Sequence, residues 1–470
     1  MEMSERLDDL RRRIREVDGQ ILKLARDRLE LSERIGEEKR RRGFPLINLK
    51  VEGKVIDHAQ SLAREIGLDE GLSKKLVNTL IAESVKTQKG TPKNRASFLY
   101  DTLEKVKELE AKGEKVIRLD VGEPDLASPV EVKDALRDDL YGRSFIGYSS
   151  SKGLEELREA IAEDLNGEYG SDITKDQVLL TPGGKFAIFS AIFSKVNFGD
   201  RVVIPQPNWP VYENCTRLAN GRVDVIHTSF DEEWKIDLQK IEEAFNVNPA
   251  LLVLCSPNNP TGKIIPEKEL KEILHLAARE NVYILSDEVY APYSFKPFKS
   301  IMQLANSKVI YVNSFSKRFG MTGWRVGYAV SDVETISRMQ KIIQISVTCI
   351  PEFVQKAALK ALTMKQDAFK AFVLEMRERV KIACEELNVS PLRYLKPDGG
   401  MYIYPKATVE GFQSRTFARR LLDEKRVSVA PGEAFGEYPE HFRVSLGINR
   451  VDLKKGIKMI GEMAERWLGE

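Results

Sequence analysis

Cysteine and histidine are scarce, with four of each in 470 residues. Cys215, Cys255, Cys349 and Cys384 stand far apart with no C-x-x-C pair. That excludes a disulfide scaffold and fits thiols kept reduced in a cytoplasm. The histidines show no ligand spacing, so neither a structural zinc nor a catalytic metal is expected. An excess of charge is missing too: 73 Lys and Arg against 71 Asp and Glu leave a net charge of +2. Nothing in that balance argues for nucleic acid or a membrane surface as partner. No apolar run approaches the roughly 20 residues that span a bilayer, and Met1-Glu-Met-Ser-Glu-Arg-Leu-Asp8 has no apolar stretch of the secretory kind. A cytoplasmic protein is expected. What is abundant is charge of both signs, 31% of residues, which hints at a heat-adapted source. The hydrophobic share of 42% suffices for ordinary cores, in a chain too long for one core.

The chain changes character near residue 90. Residues 1–88 read as helices only. Lys89-Gly-Thr-Pro-Lys-Asn-Arg95 then interrupts with Gly, Pro and polar residues, a linker signal. Beyond it, short β-branched strands alternate with helical patterns: Gln177–Leu180, Arg201–Pro205, Leu251–Cys255, Val282–Ser286 and Ser307–Ser314. This alternation is that of a doubly wound α/β domain. The expected domains are therefore 1–90, all helical, and 96–470, α/β.

Five segments of the α/β part carry residues with a definable job. Ser314-Phe-Ser-Lys-Arg-Phe-Gly-Met-Thr-Gly-Trp-Arg325 follows a strand, so Lys317 falls at its carboxyl end, where α/β sheets bind ligands. A lone lysine is usually a solvated one. Lys317 instead has hydroxyls at Ser314 and Ser316, glycines at 320 and 323, and the fixed charge of Arg325 around it, as a Schiff-base lysine needs. Thr181-Pro-Gly-Gly-Lys-Phe-Ala187 opens a helix whose first N–H groups and dipole could cradle a phosphate, although any tight strand-to-helix turn favours Gly-Gly. Pro205-Gln-Pro-Asn-Trp-Pro-Val-Tyr212 offers Trp209 for stacking on a ring or for plain core packing. Ser256-Pro-Asn-Asn-Pro-Thr-Gly262 offers the Asn259 amide. In Ser286-Asp-Glu-Val-Tyr290 the carboxylate of Asp287, read as the first residue beyond its strand, could hold a pyridine nitrogen protonated.

In identity and order these segments resemble the class I aminotransferases, from about residue 96 to the C-terminus. The resemblance implies pyridoxal 5′-phosphate as cofactor and a seven-stranded mixed sheet with a small α+β domain made from both ends of the region. It implies Lys317 as the cofactor-linked lysine and base, Asp287 at the pyridine nitrogen, Asn259 and Tyr290 at the phenolic oxygen, and Trp209 on the ring. Ser314, Ser316, Arg325, Gly184 and Lys185 would hold the phosphate, joined by Tyr148 from a neighbouring subunit of a homodimer. Arg443, in His441-Phe-Arg-Val-Ser-Leu446, would take the substrate's α-carboxylate, with Gly122, Trp209 and Asn259 also contacting substrate. Lys185 sits in the first turn of a helix, where the dipole disfavours a cation. In the subgroup with Gly-Gly-Lys here, that lysine meets the distal carboxylate of an acidic substrate; the bland alternative is a charge balancing the phosphate.

In the helical part, Met3, Leu7, Leu10, Ile14, Val17, Ile21, Leu24, Leu31 and Ile35 recur at heptad spacing, one long helix with a narrow seam. Arg28 falls in that seam. Its guanidinium cannot shed a proton, so it needs an anion or carboxylate beside it. Leu76, Leu80, Ser84 and Gln88 share an i,i+4 row that turns polar at its end. With Leu10-Arg-x-x-Ile14, Ala25-Arg-Asp-Arg-Leu-Glu-Leu31 and Glu83-Ser-Val-Lys-Thr-Gln88, these positions resemble the all-helical chorismate mutases over residues 4–88. The resemblance implies three helices intertwined in a dimer. Arg11 of the partner chain, Arg28 and Lys39 would hold chorismate, and Glu52, Ser84 and Gln88 would complete the pocket. In Asn48-Leu-Lys-Val-Glu52, Val51 stands where the family commonly carries an arginine, with Lys50 beside it.

The combined expectation is a bifunctional enzyme of aromatic amino-acid synthesis. It would turn chorismate into prephenate, then aminate prephenate or an aromatic 2-oxo acid with glutamate or aspartate as donor. The alternative is an aspartate aminotransferase whose helical part is a regulatory or dimerisation module.

Overall fold

The computed structural model describes residues 2–89, 97–305, 308–365 and 367–469. The expected linker at 90–95, the strand start at Ser307 and the Met3 side chain lie outside the described residues. The chain divides into two compact units, one helical and one α/β.

The helical unit has three helices: α1 (Glu2–Arg41), α2 (Leu49–Ile66) and α3 (Glu70–Lys89). Asn48 caps α2, its Oδ1 accepting from Val51 N at 3.2 Å, and Gly67 ends it with φ 71°, a conformation glycine adopts freely. α3 packs on both α1 and α2. A small core forms around Ile56, Ala63 and Ile81. At Gly36 the helices approach so closely that a Cβ would lie 2.7 Å from the Gln88 side chain. The apolar seam of the N-terminal half of α1 remains exposed, from Leu7 through Ile14 and Ile21 to Leu24.

Among its described residues the α/β unit contains twelve strands: β1 (Ile117–Arg118), β2 (Val178–Thr181), β3 (Arg201–Gln206), β4 (Arg222–His227), β5 (Leu251–Cys255), β6 (Tyr283–Asp287), β7 (Val309–Ser314), β8 (Gly327–Val330), β9 (Tyr402–Ile403), β10 (Val427–Ser428), β11 (Ala430–Pro431) and β12 (Phe442–Ser445). Seven of them form the large sheet in the order β2-β8-β7-β6-β5-β3-β4. β8 runs antiparallel to both neighbours; the pairings among β3 to β7 are parallel. β5 is buried along its whole length, as a strand covered on both faces must be. Its Leu251 and Val253 pack with Ala187, Ile188 and Ala191 of the helix Gly184–Lys195. A smaller β structure pairs β1 with β10 and sets β12 between β11 and β9. Since β1 precedes the large sheet and β9 to β12 follow it, this part is assembled from both ends of the unit, as the sequence led us to expect.

One strand end differs from that reading. Asp287 is the last residue of β6, not the first beyond it, because it pairs with Cys255 on one side and Val312 on the other.

Candidate active sites

The carboxyl ends of the parallel strands bring the α/β residues together. After β7 the chain turns through Phe315–Arg318, with Ser314 capping the turn: its Oγ accepts from Ser316 N at 3.1 Å and lies 2.9 Å from Ser316 Oγ. Lys317 Nζ donates to the Gly122 carbonyl. Burial brings its pKa down to about 8; Arg443 and Arg325 push the same way, while Glu123 and Asp287 oppose. Its amine is thus poised to lose a proton near neutrality.

Asp287 is 3% exposed, and burial raises its carboxyl to about 6 against a hydrogen bond from Tyr212, the Val289 N–H and the charge of Lys317. Tyr212 Oη donates to Asp287 Oδ2 at 2.7 Å. A carboxylate so enclosed calls for a cation opposite it.

The helix Gly184–Lys195 begins against Ser314, whose Cβ would lie 3.4 Å from a Cβ on Gly184. At Gly183, φ 81°, a side chain would run into the Arg325 guanidinium. Arg325 itself holds φ 56° and donates to Thr322 O at 2.8 Å and Pro182 O at 3.4 Å. Open N–H groups of a first helical turn, two hydroxyls and a guanidinium therefore converge, a donor set suited to a phosphate dianion. Lys185 Nζ stands 5.4 Å from the Trp209 ring centre, and Trp209 meets Tyr212 edge-on at 5.9 Å.

Arg443, on β12, donates through Nη1 to Asn259 Oδ1 at 2.9 Å and through Nη2 to Asp120 O at 2.5 Å. Its Nε is buried without a partner. Asn259 Oδ1 is thus committed to Arg443, and its Nδ2 remains the group able to donate. The Tyr290 hydroxyl lies 2.6 Å from that of Tyr402. The Tyr402 hydroxyl also fills the space a side chain at Gly122 would need. Tyr148 is 88% exposed, and Phe145 is similarly bare.

Sequence reasoning missed Tyr212, Asp120, Tyr402 and Glu123. Tyr212 follows Trp209 by three positions at the start of the helix Val211–Leu218, a spacing that could have placed it on the same face. The others follow only from the close approach of β1, β9 and β12.

In the helical unit, Arg28 Nη1 donates to Ser84 Oγ at 2.7 Å and Leu80 O at 2.8 Å. Burial lowers the pKa of this guanidinium. Gln88 Nε2 donates to Ser32 O at 2.7 Å and Ser32 Oγ at 2.9 Å. Lys39 Nζ bonds Leu46 O at 2.8 Å, and Glu52 lies in the first turn of α2. Arg28, Ser84 and Gln88 are brought together by α1 and α3. Arg11 is not: it pairs with Asp8 at 3.2 Å with 67% of its side chain exposed. It lies about 25 Å from Arg28 along α1, at roughly 1.5 Å per residue.

Residues 114–460 match the family model of class I and II aminotransferases. The chain belongs to that family. Residues 10–89 match chorismate mutase type II, so a mutase domain precedes the aminotransferase domain. An aspartate aminotransferase of Thermococcus kodakarensis is 36% identical over 348 residues, 74% of this chain and 88% of that protein. One from Thermotoga maritima is 35% identical over 70% of this chain and 87% of its own length. Among solved structures, the aspartate aminotransferase of Thermotoga maritima aligns with TM-score 0.74 at 33% identity, covering 81% of this chain and all of that one. An aromatic aminotransferase from Pyrococcus horikoshii aligns with TM-score 0.72 at 30% identity, covering 79% and 99%.

Aminotransferases of this family work with pyridoxal 5′-phosphate, and the residues present fit it. The Gly183–Arg325 contact leaves an anion cradle no larger side chain could share, and the enclosed Asp287 suits a protonated ring nitrogen. Among the described residues, no cluster of three or more His, Cys, Asp or Glu could hold a metal, and no helix is long and apolar enough to cross a membrane.

Proposed function

We propose that this chain makes prephenate from chorismate in its domain at 1–90 and aminates prephenate in its domain at 96–470, as a homodimer. The observation that carries the amination is the joint placement of Lys317, Asp287, Arg443 and Lys185 around one set of strand ends. The cofactor, when bound, supplies an electron sink for charge developing at the substrate's Cα. Lys317 takes the proton from that Cα once its amine is free, which its low pKa favours at neutral pH. Asp287 would hold the cofactor's ring nitrogen protonated, and Tyr212 keeps Asp287 in place. Arg443 grips the α-carboxylate with the N–H groups that its bonds to Asn259 and Asp120 do not use, Nε–H among them. Lys185 takes the second carboxylate, which prephenate, glutamate and aspartate all possess.

The mutase reaction needs no covalent step. Arg28, Lys39 and Gln88 hold a compact dianion, with Glu52 and Ser84 completing the wall, and stabilise charge as the C–O bond breaks. Arg11 is too far along α1 to act within its own chain, so a second copy must supply it. The exposed seam of α1 and the bare Tyr148 are the two surfaces that copy would cover.

The test is to incubate holoenzyme with chorismate and glutamate and identify the products. Arogenate with 2-oxoglutarate is the expected result. The aspartate aminotransferase relatives favour a second reading, in which oxaloacetate is the acceptor. Accumulating prephenate beside brisk amination of oxaloacetate would decide for it.

A further inference from the structure

Tyr293 makes a contact that the proposed chemistry leaves unused. It ends the turn Ala291–Tyr293 beyond β6 and is fully buried. Its Oη donates to the main-chain carbonyl of Lys317 at 2.7 Å. Lys317 lies in a helix of one turn, Phe315–Arg318, too short to supply that carbonyl with an N–H from a following turn. A side chain supplies the donor instead. Burial and the charge of Asp125 push the Tyr293 phenol up, against the pull of Arg379, so it stays a neutral donor.

The ring is held as firmly as the hydroxyl. It meets Phe369 edge-on at 5.5 Å and Phe372 at 6.2 Å, both on the helix Asp367–Asn388. With Met376, Met401 and Phe442 it belongs to one apolar core. Main-chain bonds fix the residue on both sides: Tyr293 N donates to Tyr290 O at 2.9 Å, and Gly400 N donates to Tyr293 O at 3.1 Å. One side chain thus ties the turn that holds Lys317 to the turn that holds Tyr290 and to the helix behind them.

A lysine amine rides on a long, flexible stem. Lys317 has two stations to serve, the cofactor and the substrate's Cα, and only its main chain can stay still between them. A displacement of roughly 1 Å at a reacting atom can cost about a hundredfold in rate. We infer that Tyr293 is a positioning residue for Lys317, its hydroxyl anchoring the main chain from which the amine reaches both. The inference rests on the reading of Lys317 as the cofactor-linked lysine.

Tyr293→Phe removes the hydroxyl and leaves the ring among its phenylalanines. In the first half-reaction with glutamate or aspartate as donor, followed by absorbance, the limiting rate should fall about fivefold to tenfold, with half-saturation kept within about twofold. Capture of pyridoxal 5′-phosphate by the apoenzyme should slow by at least about threefold. Tyr438→Phe removes another buried hydroxyl, which donates to Gln206 O at 2.8 Å and Thr228 O at 2.9 Å. Both rates should stay within about twofold in that variant. An unchanged limiting rate or unchanged capture in Tyr293→Phe would overturn the inference, as would a loss carried by half-saturation or equal losses in Tyr438→Phe. Borohydride reduction of wild-type holoenzyme, with mass analysis of its peptides, separates the two readings. Cofactor on another lysine would strike the role of Lys317 itself. Cofactor on Lys317 with unchanged rates in Tyr293→Phe would strike this inference alone.

Discussion

Lys317 and Arg11 are both cations assigned to catalysis, yet one is enclosed and the other has two thirds of its side chain in water. The contrast runs through the two units. In the α/β unit each central group has a neighbour from another strand end of the same chain: Asp287 has Tyr212, Arg443 has Asn259, Lys317 has the Gly122 carbonyl. In the helical unit Arg28, Ser84 and Gln88 meet, but the seam toward the N-terminus of α1, from Leu7 to Leu24, stays exposed. A mixed sheet gathers most of a site within one chain, because the carboxyl ends of its parallel strands lie at one edge; here only Tyr148 is expected to come from a second copy. A long helix with one apolar stripe gathers less of a site, and in the proposed dimer it would draw the rest from a second copy.

The sharpest way to break this comparison is Lys317→Ala. Transamination should fall by about a thousandfold or more, with mutase turnover unchanged, when both are followed in one preparation. Loss of both activities in a folded variant would mean the sites are not independent. Arg28→Ala should cost the mutase roughly a hundredfold to a thousandfold and leave transamination intact. Arg11→Ala should do much the same, and mixing it with Arg28→Ala subunits should restore about a quarter of wild-type mutase activity, since half the dimers are hybrids with one intact site of two. No recovery on mixing would place each site within one chain.

Smaller effects probe the α/β side. Lys185→Ala should weaken dicarboxylic acceptors by about tenfold to a hundredfold in kcat/KM relative to monocarboxylic ones. Tyr212→Phe removes a hydrogen bond to a charged group and should lower kcat by about tenfold or somewhat more. The least change is one of pH alone. Cofactor capture by the apoenzyme, read by absorbance, should speed up as pH rises through about 8 and then level, because the free amine is the reacting form. A midpoint near the ordinary lysine value of 10.5 would show that burial does not tune this amine.

Much of this was legible in the residues. β5 was read to its ends because five consecutive buried apolar residues leave no other local choice. The loops at 181–185, 256–262 and 314–325 are dense in Gly, Pro and hydroxyls, so their chemistry shows without coordinates. Asp287 was misplaced by one position because what extends β6 is its ladder to Cys255 and Val312, outside the local sequence. Tyr290 finds Tyr402 across 112 residues, a pairing no local pattern announces. In the helical part the heptad seam was plain, and so was Arg28 within it. That the seam stays open after α2 and α3 have packed is a property of the folded unit.

The position of Asp287 at the end of β6 has one more consequence. Hydrogen-bonded on both sides, its backbone is set by the sheet, whereas Lys185 sits on a helix and Arg443 on a short strand of the smaller layer. The carboxylate that the proposed mechanism uses in every amino-acid exchange is thus fixed within the central sheet. Lys185, which in the proposed site would tell one acceptor from another, hangs on a separate piece, as does Arg443, which would hold the carboxylate that all of them share. A lineage could retune its diet by altering those pieces without disturbing the engine beneath them.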